Sequence, residues 1–155
     1  MDSVRKEIVG NELLMQSIKE LIKEGHTVTL TVKGVSMTPF LINQRDSVVI
    51  APLTTSSLNI GTIVLAKEKN RDRYLLHRIV KQRKDGYQLR GDGNCYGTEE
   101  IATEDIVGYV KSATRNKVRV DYGTLKWRLL WYIWRYMLPI RRLLLAIYNH
   151  IIKRK

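Results

Sequence analysis

Cysteine is almost absent from this chain, and histidine is scarce. The 155 residues include one cysteine, Cys95, and three histidines. A single cysteine excludes an internal disulfide framework, and no cysteines and histidines cluster at the spacing of metal ligands. The sequence therefore predicts no structural zinc and no other metal or cofactor site.

Long uninterrupted apolar runs are also missing. Residues 1–15 contain acidic side chains and lack an apolar core of the length that signal peptides and membrane anchors have. Near the C-terminus, every apolar run is broken well short of the roughly 20 residues that cross a bilayer. The residues that break these runs are Arg128, Arg135, Arg141 and Arg142. We therefore expect a cytoplasmic protein without a membrane-spanning segment.

Acidic residues are absent from the last part of the chain. Residues 122–155 hold eight Lys and Arg and no Asp or Glu, so only +4 of the formal net charge of +12 belongs to residues 1–121. Apolar residues recur here at helical spacing, which predicts one helix up to Pro139 and a second that has this proline in its first turn. The predicted apolar faces are Trp127, Trp131, Trp134 and Leu138 in the first helix and Ile140, Leu144, Ile147 and Ile151 in the second.

Two interpretations of this basic tail are open. Tryptophan and tyrosine favour the headgroup level of a bilayer and arginine attracts anionic lipid, which predicts a pair of helices lying in the plane of a membrane surface. The protein would then be peripheral at the inner face of the membrane. Alternatively, the two helices form a hairpin that packs on the rest of the chain or on a partner.

The body of the chain is predicted to be mainly β. Asn11 could cap a helix whose apolar stripe ends before Gly25. From His26 onward, alternating apolar segments between turn signals predict short strands, and residues 110–122 could close a hairpin. We divide the chain into an N-terminal helix over residues 1–26, a β domain over residues 27–121 and the helical tail over residues 122–155.

Ser36 is the candidate nucleophile. In "VKGVSMTPFL" it stands between a glycine and a proline, directly after a predicted strand. A serine needs a base to take its proton and a third group to orient that base, and the chain offers His77 and Asp92. His77 shares its strand face with Leu75 and Ile79. Taken alone this constellation is weak, because such residues occur in most chains.

Two other residues could supply a different base or nucleophile. Lys81 has the same strand parity as His77 and could act as a lysine base, although a solvated lysine at a strand end is the commoner case. Cys95 could pair with His77 as a thiol nucleophile. Asp92 itself, between Gly91 and Gly93, could be no more than a turn former.

The ordered blocks "GVSMTPFL", "DSVVI", "GTIVLA", "LLHRIV" and "YQLRGDGN" resemble the successive motifs of the S24/S26 serine peptidases, which include signal peptidases and LexA-type self-cleaving repressors. The likeness covers roughly residues 27–113. It implies a coiled, mostly antiparallel β fold with a short N-terminal helix and C-terminal amphipathic helices added to it. It also implies that Ser36 is the nucleophile and that His77 occupies the position of the base, as in archaeal and endoplasmic-reticulum signal peptidases.

The chain departs from that pattern at two positions. Gly34 stands where signal peptidases commonly have a serine, so an oxyanion hole would depend on backbone donors such as the Ser36 amide. The His-type signal peptidases also carry an aspartate a few residues beyond their "GD" pair, where this chain has Gly97 and Thr98. Asp92 is the candidate third member here. Asp46 is interpreted as structural. Met37, Pro39 and Phe40 would line the substrate approach, or else serve ordinary loop packing.

The sequence therefore predicts a serine endopeptidase that processes signal or leader peptides at a membrane surface. One alternative is a catalytically silent basic module that binds anionic membrane or nucleic acid through the tail. Nucleic acid is disfavoured because the basic hairpin ends carry no interleaved aromatic residues. A self-cleaving repressor is also disfavoured, since it would need a DNA-binding domain where about 26 residues precede the first strand.

Overall fold

A single mostly antiparallel β-sheet forms the body of the protein, with one helix before it and two after it. The computed structural model describes residues 2–152, and the side chains of residues 12–151. The helices are α1 Asp2–Lys23, α2 Leu125–Tyr136 and α3 Leu138–Ile152. The strands are β1 Val28–Thr31, β2 Asp46–Ala51, β3 Ile63–Glu68, β4 Arg73–Arg83, β5 Gly86–Arg90, β6 Glu99–Ala102, β7 Ile106–Arg115 and β8 Val118–Val120. The prediction of a mainly β body is confirmed.

The strands follow one another in space in the order β1-β2-β7-β3-β4-β5-β6, and β8 pairs with β7. Every one of these pairings is antiparallel. The predicted hairpin is formed by β7 and β8 around Asn116 and Lys117, both of which have positive φ, as a two-residue hairpin turn requires. Strand β6 has no counterpart among the predicted strands.

Helix α1 is longer than its sequence signals indicate. The helix begins at Asp2, so Asn11 lies within it and is not its N-cap. Its end agrees with the prediction: Gly25 has a φ of 91°, and its amide donates to the carbonyl of Ile22. Ile18 and Ile22 face the sheet and are buried. The helix thereby covers the part of the core that lies under β1, β2 and β7.

The core has two parts, one on each side of the central strands. The first contains residues of α1, the loop after β1 and strands β2, β3 and β7. The second is built from Val64, Ala66, Leu75, Ile79, Leu89, Ile101 and Ile106. On β4, Leu75, His77 and Ile79 are all buried, as the alternation of that strand predicts. His77 is thus held by a strand that packs on both sides.

The C-terminal helices pack on the sheet through their tryptophans. Trp131 is buried, and two of its ring carbons lie 3.0 and 3.1 Å from where a Cβ on Gly61 would stand. Phe40 meets Trp127 and Trp134 edge-on, each with a centroid separation of 6.3 Å. The break between the two helices falls at Met137, and Pro139 lies in the first turn of α3, as predicted. The tryptophans therefore contact protein and do not lie on an outer face.

The outer side of the two helices carries exposed large apolar residues. These are Leu125, Leu129, Leu130, Tyr132, Ile133, Tyr136, Ile140, Leu143, Ile147 and Ile151, and we call them the outer apolar face. Among residues 2–152, none of the helices combines the length and the apolar character that a membrane crossing needs.

Replacing Trp131 tests whether the tail is part of the folded body. Trp131→Ala removes a buried ring, so we expect the free energy of unfolding to fall by about 3 kcal/mol. The matched control is Tyr136→Ala, since Tyr136 is 80% exposed on the same helix, and its effect should stay within about 0.5 kcal/mol. Urea unfolding followed by circular dichroism measures both. Equal losses for the two variants would contradict the packing of α2 on the sheet.

Candidate active site

Ser36 lies in the loop between β1 and β2, where the chain turns sharply. Gly34, two residues before Ser36, has a φ of 85°, and its amide donates to Asn43 Oδ1 at 3.0 Å. The residues that follow, Met37 and Thr38, are buried and fix the loop on the core. Ser36 itself is half-buried. Its position is thus fixed by its neighbours while its side chain stays accessible.

The amides around Ser36 are available as donors. Among the described residues, neither the Ser36 amide nor the Met37 amide makes a hydrogen bond. An oxyanion hole needs such preorganised backbone donors beside the nucleophile. The Ser36 and Met37 amides are therefore the candidate backbone donors in place of the hydroxyl missing at Gly34.

His77 is held by a carboxylate that the sequence analysis did not identify. His77 Nδ1 lies 2.9 Å from Glu99 Oε2, and both side chains are largely buried. Burial by itself raises the pKa of the Glu99 carboxyl, but the hydrogen bond and the charge interaction with His77 outweigh burial and lower that pKa. Glu99 is therefore ionised near neutral pH and can only accept, so Nδ1 carries the proton and donates. In the neutral ring, Nε2 is then free to accept a proton.

Gly91 lies where the Ser36 loop and the His77 ring approach each other. A Cβ placed on Gly91 would stand 2.4 Å from the Ser36 carbonyl oxygen and 3.0 Å from His77 Nε2. The two atoms can therefore be no further apart than the sum of these distances. Among the described residues no hydrogen bond joins the Ser36 hydroxyl to the ring, and catalytic contacts are often loose in unliganded enzymes. A side chain at position 91 would collide with the Ser36 carbonyl oxygen and crowd the His77 ring, so this close approach requires glycine.

Asp92 lies elsewhere, and this corrects the role expected of it. Its carboxylate accepts from Arg78 Nε at 3.0 and 3.1 Å and from Arg78 Nη2 at 2.7 Å. Both side chains are buried. Arg78 follows His77 in sequence, so its side chain points to the opposite face of β4 and draws Asp92 there. The carboxylate that contacts His77 is that of Glu99.

The register of the sheet explains how Glu99 reaches His77. Glu99 pairs with Leu89 on β5, and Leu89 pairs with Ile79 on β4, two residues from His77 and on the same face. The sequence signal for this contact is the segment "EEIA", which follows a glycine turn and forms strand β6. The residues of β6 alone do not indicate which strand it pairs with, so the Glu99–His77 contact could not be predicted from them.

Within the part of the chain that the structure describes, the other side chains singled out in the sequence form no hydrogen bond with Ser36 or His77 that suggests a catalytic role. Asp46 is buried and accepts hydrogen bonds from the Arg45 guanidinium at 2.7 and 3.0 Å and from the Ile42 amide at 2.9 Å, in keeping with a structural role. Met37 and Phe40 are buried in packing contacts and do not line an open approach to Ser36. Lys81 is exposed at the end of β4. Cys95 is half-buried with a free thiol.

The chain matches a known protein family. Residues 5–111 match the family described as Peptidase S24-like. The match runs from α1 into β7, covers more than half of the chain and contains Ser36, His77 and Glu99. The chain belongs to this family. Comparison with curated proteins finds none that matches.

The structural role of Asp92 can be measured directly. Asp92→Asn leaves the buried Arg78 charge without a carboxylate, which we expect to cost about 3–5 kcal/mol of unfolding free energy. The matched control is Asp72→Asn, because Asp72 is 75% exposed in its pair with Lys67 and asparagine tolerates its positive φ. The control should change stability by less than about 1 kcal/mol. A stability loss for Asp92→Asn no larger than that of the control, measured by denaturant unfolding, would contradict a structural ion pair.

Proposed function

We propose that this protein is a serine endopeptidase in which Ser36 is the nucleophile, His77 the general base and Glu99 the residue that positions His77. The observation that carries the proposal is the Glu99–His77 hydrogen bond of 2.9 Å, on a ring whose other nitrogen approaches the same point at Gly91 as the Ser36 carbonyl oxygen. A serine, a base and an orienting acid are the three roles that nucleophilic hydrolysis of a peptide bond requires. Membership of a peptidase family supports the same chemistry.

In the proposed mechanism the Ser36 hydroxyl attacks the peptide carbonyl while His77 Nε2 accepts its proton. Glu99 holds the tautomer with the proton on Nδ1 and stabilises the imidazolium that forms. The amides of Ser36 and Met37 donate to the developing oxyanion. His77 then returns the proton to the leaving amine, and water hydrolyses the acyl-enzyme by the same route in reverse. No metal or cofactor takes part in this scheme.

The proposed substrates are extended, largely apolar segments such as signal or leader peptides. Within residues 2–152, strand β1 pairs on one side only, with β2, and it leads directly into the Ser36 loop, so an extended peptide could add to its open edge. Val35, immediately before Ser36, is 74% exposed and offers an apolar contact beside the scissile bond. These features support a peptide substrate, whereas the identity of that peptide is to be read from the cleavage sites.

Substitutions at the three proposed residues test the peptidase function. Ser36→Ala and His77→Ala should each lower kcat/KM on a leader-peptide pool by about 10³-fold or more, and Glu99→Gln should lower kcat by about 10²–10⁴-fold with little change in KM. The matched control is Glu100→Gln, the exposed neighbour on β6, which should retain activity. Cleavage is followed by mass spectrometry with anionic liposomes present.

The same substitutions can also contradict the peptidase function. Activity that survives Ser36→Ala belongs to another residue or to a contaminant, and it removes the main support for a serine peptidase. Loss of activity in Glu100→Gln as well as in Glu99→Gln would show that the β6 carboxylates act through stability and not through His77. Complete inactivity of the wild-type protein, with membrane binding intact, would favour the silent basic module.

The proposal also places the enzyme at a membrane surface, bound through the outer apolar face of α2 and α3. The expectation that the tryptophans meet the bilayer does not agree with the structure, because Trp131 is buried against Arg78 and Gly61. The leucines and isoleucines on the other side are the exposed apolar residues instead. Leu125, Leu129 and Leu143 have exposed fractions of 80%, 58% and 63%. An amphipathic helix pair of this kind can lie in the interface with its apolar side in the acyl boundary.

The positive charge of the tail favours an anionic bilayer, and not a second copy of the chain, as the partner of the outer apolar face. The tail carries eight Lys and Arg and no Asp or Glu, so two tails facing each other would repel. The same charges are attracted to the negative surface of a cytoplasmic leaflet by about 1 kcal/mol for each cation near the surface. We therefore propose a peripheral protein at the inner face of the membrane.

Vesicle binding tests the outer apolar face. Leu143→Glu should weaken binding to phosphatidylglycerol vesicles by about tenfold or more, since burial of one leucine contributes about 1.5–3 kcal/mol. The matched control is Val118→Glu, a 65% exposed apolar residue on β8, which should bind like wild type. Cosedimentation at rising salt should show weaker binding, and phosphatidylcholine vesicles should bind less.

Two results would overturn membrane docking through this face. One is equal binding by the Leu143→Glu and Val118→Glu variants. The other is a concentration-dependent dimer, seen by analytical ultracentrifugation, that Leu143→Glu abolishes while wild type ignores vesicles. That second result would assign the face to another copy of the chain.

A further inference from the structure

A cavity of about 180 Å³ lies between the β4–β5 hairpin and the two C-terminal helices. Neither Ser36 nor His77 lines it. Its cationic residues come from four different elements and are Lys81, Arg90, Arg135 and Arg141. We call this space the basic cavity.

The basic cavity has a large excess of positive charge. The one acidic residue in its lining is Asp92, and the Asp92 carboxylate is already bound by Arg78 through three contacts. Among the described residues, none of the four cations forms a salt bridge. Arg90, Arg135 and Arg141 donate to backbone carbonyls instead. Four like charges around one small space repel one another unless an anion separates them.

Arg141 shows most clearly that the positive charge of the basic cavity is not neutralised by acidic side chains. The residue is 3% exposed, and its buried Nε has no hydrogen-bond partner within the part of the chain that the structure describes. Burial lowers the pKa of the Arg141 guanidinium. Its two outer nitrogens donate to the carbonyls of Asn94 and Trp134 at 3.2 and 2.8 Å, and its guanidinium lies 5.0 Å from the Trp134 ring centroid. A buried arginine without a carboxylate is costly, and an anionic ligand removes that cost.

We propose that the basic cavity binds an oxyanion of the phosphate class, either inorganic phosphate or the phosphate of an anionic lipid headgroup. A multiply charged anion balances four cations better than a single carboxylate does. Arginine's planar fork suits phosphate oxygens because it can donate two parallel hydrogen bonds. A bound phosphate would join α2, α3, β4 and β5, so it would stabilise the packing of the tail on the sheet.

Calorimetric titration with inorganic phosphate tests this site, with sodium chloride added to keep the ionic strength constant. Wild type should bind with a measurable Kd, and its Tm should rise with phosphate concentration. Arg90→Gln and Arg141→Gln should each weaken binding about 10- to 100-fold. The matched control is Arg83→Gln, an exposed arginine that is the last residue of β4 and does not line the cavity. Arg90, being half-buried, keeps the test valid if Arg141→Gln fails to fold.

Vesicles separate the two sources of phosphate. If the ligand is a lipid headgroup, Arg90→Gln should bind phosphatidylglycerol vesicles more weakly than Arg83→Gln, although the two variants lose the same charge. If the ligand is free phosphate, the two variants should bind vesicles equally and differ only toward inorganic phosphate. The proposal is overturned if Arg90→Gln and Arg83→Gln behave alike in both measurements. None of these readouts depends on peptidase activity, so the site can fail while the proposed function stands.

Discussion

The buried ion pair between Arg78 and Asp92 is the interaction on which the candidate site depends. Arg78 follows His77 on β4, and Asp92 follows Gly91, the residue that separates His77 from Ser36. The guanidinium lies between the rings of Phe40 and Trp131, at 5.2 and 5.3 Å from their centroids. A buried charge tolerates little displacement because losing either its partner or its aromatic cover is costly. The pair therefore holds the strand of the proposed base and the loop beside the proposed nucleophile in one fixed relation.

The same pair connects the site to the C-terminal helices. Trp134 Nε1 donates to the Asp92 carbonyl at 2.8 Å, and Arg141 donates to the Asn94 carbonyl at 3.2 Å. Between these two anchor points, the Gly93 amide donates to the Ser36 carbonyl at 2.7 Å. The tail thus contacts the segment that supports Ser36, and it does so from the face of β4 opposite His77. A tail bound to a surface would hold the candidate site at a defined orientation to that surface.

Much of this arrangement could be predicted from the sequence because it depends on local patterns. Strand alternation is enough to place His77 on a buried face of β4, and a glycine-flanked motif after a strand is enough to place Ser36 on a loop. Helical periodicity and one proline predict two helices and the position of their junction. The resemblance to S24/S26 peptidases rests on such local blocks in a fixed order. In each case the residues that decide the structure lie within a few positions of one another.

Two features that the sequence did not predict correctly, the carboxylate that contacts His77 and the buried side of the tail, depend on partners far away along the chain. Asp92 and Glu99 both lie near glycine turns after β5, and only the strand register and the position of Arg78 decide which of them meets His77. The tail likewise has two apolar sides, and periodicity alone cannot say which one is buried. Arg78 determines which side of the tail faces the sheet. An indole interacts favourably with a cation, so it covers a buried arginine better than a leucine does. The tryptophans therefore face inward, and the leucines and isoleucines remain outside.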